Sequence, residues 1–245
     1  YTGYRTNVMR PDELLCWIKV PRPTGHALEK VYKISKRFDD DISAVCLAIQ
    51  MTVKGGVQVQ DFPGPQSVVM FGQGGIRFDD PDYFAAVILN EVLGGGRFTA
   101  RLMTEVREKR GLTYGIGTSL VGYDHAELVM GQTAVGNARV AEAVQVIRDE
   151  WARIATTGIS AEELAATKTY LTGSYPLRFD GNGPLATIMV NMQLIGLPPD
   201  YPKTRNDKVN AVTAEDVQRV AKTLFRPDDL RFIVVGEPDG LDSSD

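Results

Sequence analysis

Past residue 60 the chain alternates strand-like and helix-like runs, and their order constrains the fold more than any single motif. SVVMFGQGGI (Ser67 to Ile76) is rich in β-branched residues, ends in glycines and reads as a strand. In DDPDYFAAVILNEVLGGG, Asp80 is placed to cap a helix with Pro81 at its first position, and Gly94 to Gly96 stop it. FTARLMTEVREKR reads as a second helix with Phe98, Leu102 and Val106 on one apolar stripe, and Gly111 is the left-handed residue after its end. TYGIGTSLVGY and AELVMGQTAV read as two strands joined near Asp124 and His125. A helix then starts near Asn137, with Val140, Val144, Ile147, Trp151 and Ile154 on one face, and Ser160 with Glu163 forms a capping box for the next. Pro176 and the Gly181, Gly183, Pro184 cluster interrupt it, and a further helix spans about Leu185 to Leu194. Pro198 and Pro199 break the chain, Thr213 caps AEDVQRVAKTLF, and LRFIVVG (Leu230 to Gly236) closes as a strand. The order strand, two helices, two strands, helices, strand predicts an α+β fold: an antiparallel-rich sheet with helices packed on one face.

Residues 1 to about 60 differ in character. Pro11, Pro21 and Pro23 punctuate them, Lys30, Lys33, Lys36 and Arg37 make a basic patch, and Asp39, Asp40 and Asp41 an acidic triplet. ISAVCLAIQMTV (Ile42 to Val53) is too short to cross a membrane and reads as a buried strand or a core helix. Gly55, Gly56 and DFPGP then break the chain. The expected organisation is an unassigned segment, linker or domain remnant over 1–60, followed by an α+β domain over 61–240.

With 43% hydrophobic and 24% charged residues, the 245-residue chain is expected to bury an ordinary core. A net charge of −4 argues against nucleic acid as a partner, and there is no apolar run long enough for a membrane span. Cys16 and Cys46 lie outside any CxxC pattern and read as free buried thiols, with a disulfide open to them only in an exported protein.

The stretch GGGRFTARLMTEVREKRGLTYG (Gly94 to Gly115) is the most distinctive in the chain. Its glycines follow a helix and precede no Lys-Ser or Lys-Thr, which excludes a phosphate loop and leaves a tight turn between helices. Arg101, Glu105 and Glu108 read as a solvated face, with Glu105 four residues before Lys109. Arg107 falls beside Met103 on the flank of the apolar stripe, and Tyr114 follows past the glycine turn at the start of a strand. A helix end, a turn and a strand start can bring the two toward one side, although pattern alone reads both as structural.

Metal and nucleophile chemistry find little support in the residues. The two histidines, His26 in PTGHALEK and His125 in YDHAELV, have no HxxEH or its reverse around them. Glu142 and Glu150, eight apart on one helix, read as solvated. No metal site is expected in this chain, and no nucleophile–base pair is recognisable.

LGGGRFTARLMTEVREKRGLTYGIGTSL closely resembles the stretch that marks the C-terminal, non-zinc half of M16 peptidases, the pitrilysin, insulin-degrading-enzyme and mitochondrial-processing-peptidase family. The resemblance runs from about Asp61 to Gly236 and takes in PDYFAAVILNEVLGGG, ISAEELAATKTYLTGSYPLRF, LIGLPPDY, VTAEDVQRVAKTLF and FIVVG. It implies an M16/LuxS-like metallohydrolase domain, paired with others into half-shells around a peptide chamber. It also implies that Arg107 and Tyr114 bind peptide substrate, that zinc sits in a partner domain or subunit bearing HxxEH, and that this chain alone is inactive. Such a chain is the non-catalytic, substrate-binding half of a two-part peptidase, or a purely structural assembly module of the same fold. Beginning at Tyr1 and short of two domains, it is expected to be a piece of a longer protein.

Overall fold

The computed structural model describes residues 55–123 and 125–244 with their side chains, and the backbone of two strands further upstream. The chain divides into two units, residues 1–53 and 54–245. In the first, β1 (Ala27–Ser35) and β2 (Ser43–Thr52) pair antiparallel, so the described part of the apolar run, Ser43–Thr52, is a strand. The readings made for Cys16, His26, Lys36, Arg37 and the acidic triplet, and for the side chains of Lys30, Lys33 and Cys46, lie outside the described residues.

The second unit is built on a five-stranded sheet. Its strands are β3 (Gly56–Asp61), β4 (Gln66–Gly74), β5 (Thr113–Tyr123), β6 (Ala126–Gly136) and β7 (Arg231–Gly236), in the order β3-β7-β4-β6-β5. Only β3 and β7 run parallel. The helices are α1 (Tyr83–Gly94), α2 (Val140–Thr157), α3 (Ala161–Ser174), α4 (Asn182–Leu194), α5 (Tyr201–Ala211) and α6 (Ala214–Leu224). A six-residue π-helix, Met103–Glu108, stands between α1 and β5. The expected α+β architecture is the one observed.

Strand alternation sorts the sheet into two unlike faces. Val69, Phe71, Val129, Val135, Phe232 and Val234 point into the core. There they meet Ile88 and Leu89 of α1, Ile147, Trp151 and Ile154 of α2, and Val217 and Val220 of α6. Burying side chains of this size contributes about 1.5–3 kcal/mol each, so the many core residues together dominate the stability of the fold. Trp151 lies edge-on to both Phe71 and Phe225. Its indole N–H donates to Gln73 Oε1 at 2.6 Å, and Gln73 Nε2 donates to the Leu224 carbonyl at 2.5 Å, so the buried amide of β4 is satisfied by α2 and by the end of α6. On the opposite face Val68, Met70, Ile233 and Val235 remain exposed, uncovered by any described helix.

The predicted capping box is present at Ser160 with Glu163, and the predicted cap Thr213 forms a second box with Asp216. Two boundaries differ from the sequence reading, and one helix is additional to it. The first helix begins at Tyr83, because Asp80 uses its carboxylate to accept from Asp82 N in a preceding turn. The helix expected from Leu185 begins at Asn182, with Pro184 inside its first turn where no N–H is needed. The helix α5 carried no sequence signal: only Tyr201 and Val209 are buried on it. It is held from outside, through Arg205, which stacks 4.5 Å over Tyr175 and donates to the Leu171 carbonyl at 2.7 Å.

Candidate functional site

The glycine-rich stretch forms the link between α1 and β5. Gly94 closes α1 directly against β5, where a Cβ would come within 2.5 Å of Thr118 Oγ1, so only glycine lets the helix end approach the strand this closely. Arg97 then turns inward. Its Nε lies 3.2 Å from Glu91 of α1, its Nη2 donates to Thr167 Oγ1 of α3 at 2.9 Å, and its guanidinium packs 4.7 Å over Tyr170. Phe98, the next residue, turns outward and is 62% exposed. The predicted stripe of Phe98, Leu102 and Val106 therefore holds for its last two members, both fully buried, and fails for Phe98. Helical spacing does not apply to Phe98, which lies in the turn that precedes the helix.

The segment expected as an α-helix is a π-helix over Met103–Glu108, marked by a bond from Lys109 N to the Thr104 carbonyl at 2.9 Å. Its wider turns bring residues five apart to the same side. Glu105 accepts from Lys109, the predicted pair, and also from Arg110, at 2.6 and 2.7 Å. These two hydrogen bonds hold its carboxyl below the ordinary value. Arg101, expected in solvent, is only 9% exposed. It grips both carboxylate oxygens of Glu163 at 2.7 and 2.8 Å and donates to the Gly158 carbonyl at 3.0 Å. Gly111, at φ +60°, reverses the chain into β5 as expected.

Tyr114 stands on β5, the edge strand, at a bulge. Thr113 pairs with Val135 and the next register pair is Ile116 with Thr133, so three steps on β5 oppose two on β6. Two hydroxyls satisfy the displaced backbone: Thr133 Oγ1 donates to the Gly115 carbonyl at 2.9 Å, and Gly115 N donates to Thr113 Oγ1 at 3.2 Å. The bulge turns Tyr114 fully outward, 91% exposed.

Helix, turn and bulge thus bring the two sequence-predicted site residues together. The guanidinium carbon of Arg107 lies 5.2 Å from the centre of the Tyr114 ring and 4.9 Å from that of Phe98. Among the described residues, no carboxylate or carbonyl takes its N–H groups. Beside this cluster an open groove of about 710 Å³ runs along β5 and onto the helix-free face of the sheet, lined by Gly96, Gly115, Ser119, Met70, Met130 and Gln132 among others. Phe98 is the member of the cluster that sequence reasoning assigned to the core. Its place in a glycine-rich turn, where helical spacing carries no weight, was the available signal.

The described residues do not fit a metal ion: no group of three or more His, Cys, Asp or Glu is arranged to hold one. Glu142 is exposed and paired with Arg139, whereas Glu150, expected in solvent, is buried and bound to Arg153 at 2.9 Å. No described helix is long and apolar enough to cross a membrane.

The model of the Peptidase M16 inactive domain matches residues 28–171. The chain belongs to the M16 inactive-domain family. The match begins inside the segment that the sequence reading left unassigned, and this M16 domain shares the fold of a solved peptidase M16 inactive domain from Pseudomonas fluorescens. That structure is 29% identical, with a TM-score of 0.69 over 77% of this chain and 44% of the other. An uncharacterized zinc protease of Streptomyces coelicolor is 29% identical over 160 residues, 65% of this chain. A protein of Helicobacter pylori described as a non-peptidase homolog is 24% identical over 154 residues, 63% of this chain. The matches span about 35% of the length of each of these two relatives.

Proposed function

We propose that residues 61–240 act as the non-catalytic, substrate-binding half of an M16 zinc peptidase, completing the peptide chamber of a partner domain or subunit that carries HxxEH. The observation that carries this reading is the meeting of Arg107, on the π-helix, with the exposed Tyr114 of β5, the Arg107 donors being unclaimed by any described residue. Zinc bound by the partner would supply an activated water. This chain would supply the donors: the Tyr114 hydroxyl toward charge developing on the attacked carbonyl, and the Arg107 fork toward a neighbouring substrate carbonyl.

Two further features support a peptide as the ligand. Among the described residues β5 has a sheet neighbour on one side only, so an extended segment can add along its other edge. The sheet face beside it carries an open groove with an apolar part at Val68, Met70 and Met130, which suits the side chains of an extended peptide.

The test is cleavage of a quenched fluorescent peptide by the chain alone and by the chain mixed with the HxxEH-bearing M16 protein of the same source. Activity is expected only in the mixture, sensitive to chelation. Arg107→Ala and Tyr114→Phe should each lower kcat/KM by about 100-fold, the typical cost of one transition-state donor. The H. pylori relative described as a non-peptidase homolog favours a second reading, a structural assembly module. Full activity in both variants, or a stable complex that cleaves nothing, would select it.

A further inference from the structure

We propose that Phe98 is a positioning residue for Arg107, fixing the guanidinium from one of its faces so that its N–H groups stay available to substrate. The inference rests on the peptide-binding reading above and adds a residue to it.

Three observations carry the argument. Phe98 is a large apolar side chain left 62% exposed, so core burial does not account for its place. Its direction is set by its neighbours: Arg97 is tied inward to Glu91 and Thr167, and Ala100 is fully buried, which leaves Phe98 to project from an anchored turn. The Phe98 ring centre lies 4.9 Å from the Arg107 guanidinium carbon, closer than the Tyr114 ring at 5.2 Å.

The chemistry of the contact explains why rings serve here. A guanidinium is planar, its N–H donors lie in that plane, and an aromatic ring attracts it through the face. A carboxylate in the same position would orient Arg107 equally well but would occupy two of its donors and cancel its charge. Elsewhere in this segment arginines are fixed by carboxylates, Arg101 by Glu163 and Arg110 by Glu105, and those arginines have their donors engaged. Arg107, among the described residues, is held by aromatic rings alone, which is the arrangement a substrate-facing guanidinium needs. Pre-ordering it also reduces the rotamer entropy lost when substrate binds.

Two experiments test the proposal. The first uses the chain by itself: the Arg107 side-chain Nε–Hε resonance, assigned by its loss in Arg107→Lys, should be displaced by the nearby ring currents. Phe98→Ala should move it toward the position of a free arginine, while Phe98→Tyr should leave it in place. An unmoved resonance in Phe98→Ala would overturn the contact. The second is a double-mutant cycle in the peptidase mixture, with thermal midpoints recorded alongside. Phe98→Ala should lower kcat/KM about 2- to 5-fold, mainly through KM, as expected for an exposed cation–π contact. Phe98→Tyr should restore it, and Phe98→Ala should have no further effect when Arg107 is already alanine. An additive loss in that background, or no loss in Phe98→Ala while Arg107→Ala is impaired, would sink the positioning role and leave the peptide-binding reading standing. An Arg107→Ala variant with full activity would remove both.

Discussion

Arg101 and Glu163 are joined by two parallel hydrogen bonds, one to each carboxylate oxygen, across 62 residues of sequence. The same Glu163 completes the capping box of α3 by accepting from Ser160 N at 2.7 Å. One carboxylate therefore ties the start of α3 to the residue two before the π-helix, and so supports the element that carries Arg107. Arg101→Met should lower stability by about 2–3 kcal/mol, the range for losing hydrogen bonds to a charged group, with Glu163 still able to reach water. Urea unfolding monitored through Trp151 would measure it; a loss below about 0.5 kcal/mol would show the pair to be idle.

The same pair sets a pH dependence. Burial alone would push the Glu163 carboxyl up, but the Arg101 hydrogen bond, the Ser160 capping contacts and the Arg101 charge together hold it below its ordinary 4.5. A carboxyl depressed in the folded state contributes stability that is complete above 4.5 and is lost as pH falls from there through the lower folded value. The thermal midpoint should therefore drop more steeply below that pH in the wild type than in Glu163→Gln. Parallel curves for the two proteins would refute the assignment.

Gly111 has open space around its missing Cβ, so a substitution there meets no clash and isolates the cost of the left-handed backbone at φ +60°. Gly111→Ala should destabilise by about 1–2 kcal/mol, and Gly111→Asn by less, because asparagine tolerates that conformation better. Because this turn sets the spacing between Arg107 and Tyr114, the alanine variant should also reduce peptide cleavage in the mixture more than its stability loss accounts for. Equal stability of the alanine and asparagine variants would argue against the backbone explanation.

Thr133 controls the bulge. Its hydroxyl donates at 2.9 Å to the Gly115 carbonyl, the residue after Tyr114, and lies 2.7 Å from the Thr113 hydroxyl. Thr133→Val keeps the shape and removes both contacts, at an expected cost of about 1 kcal/mol in stability. The sharper readout is the Tyr114 side chain, whose packing beside Arg107 depends on the bulge. The Arg107 Hε resonance should shift in Thr133→Val, and an unshifted resonance would mean that the bulge persists without its hydroxyl pair.

The elements that the sequence made legible are those with local causes. Strands β4 to β7 show β-branched runs bounded by turn residues, and α3 and α6 begin at capping boxes that can be read from four residues each. The buried stripe of α2 obeys helical spacing without exception from Val140 to Ile154. What escaped has non-local causes. The strand β3 lay within the segment left unassigned, and its place in the sheet comes from parallel pairing with β7, more than 170 residues away. Arg101 and Glu150 looked solvated because a charge is normally exposed, yet both are buried, each beside a side chain of opposite charge.

The sequence by itself determined the order of strands and helices from β4 onward, α5 aside, and the layering that follows from it; the candidacy of Arg107 and Tyr114 came from the resemblance of the glycine-bounded stretch to M16 peptidases. Only the tertiary structure decided that the two side chains meet. That meeting requires a π-helix in place of an α-helix, a left-handed glycine, and a bulge on an edge strand satisfied by hydroxyls on two strands. A one-residue change in any of these would send a side chain to the other side, because helical and strand periodicities fix direction residue by residue. Phe98 makes the same point from the opposite direction. Its spacing matched a buried stripe, yet the fold places it in an anchored turn and exposes it beside a guanidinium, since burial is decided by which surfaces finally face one another.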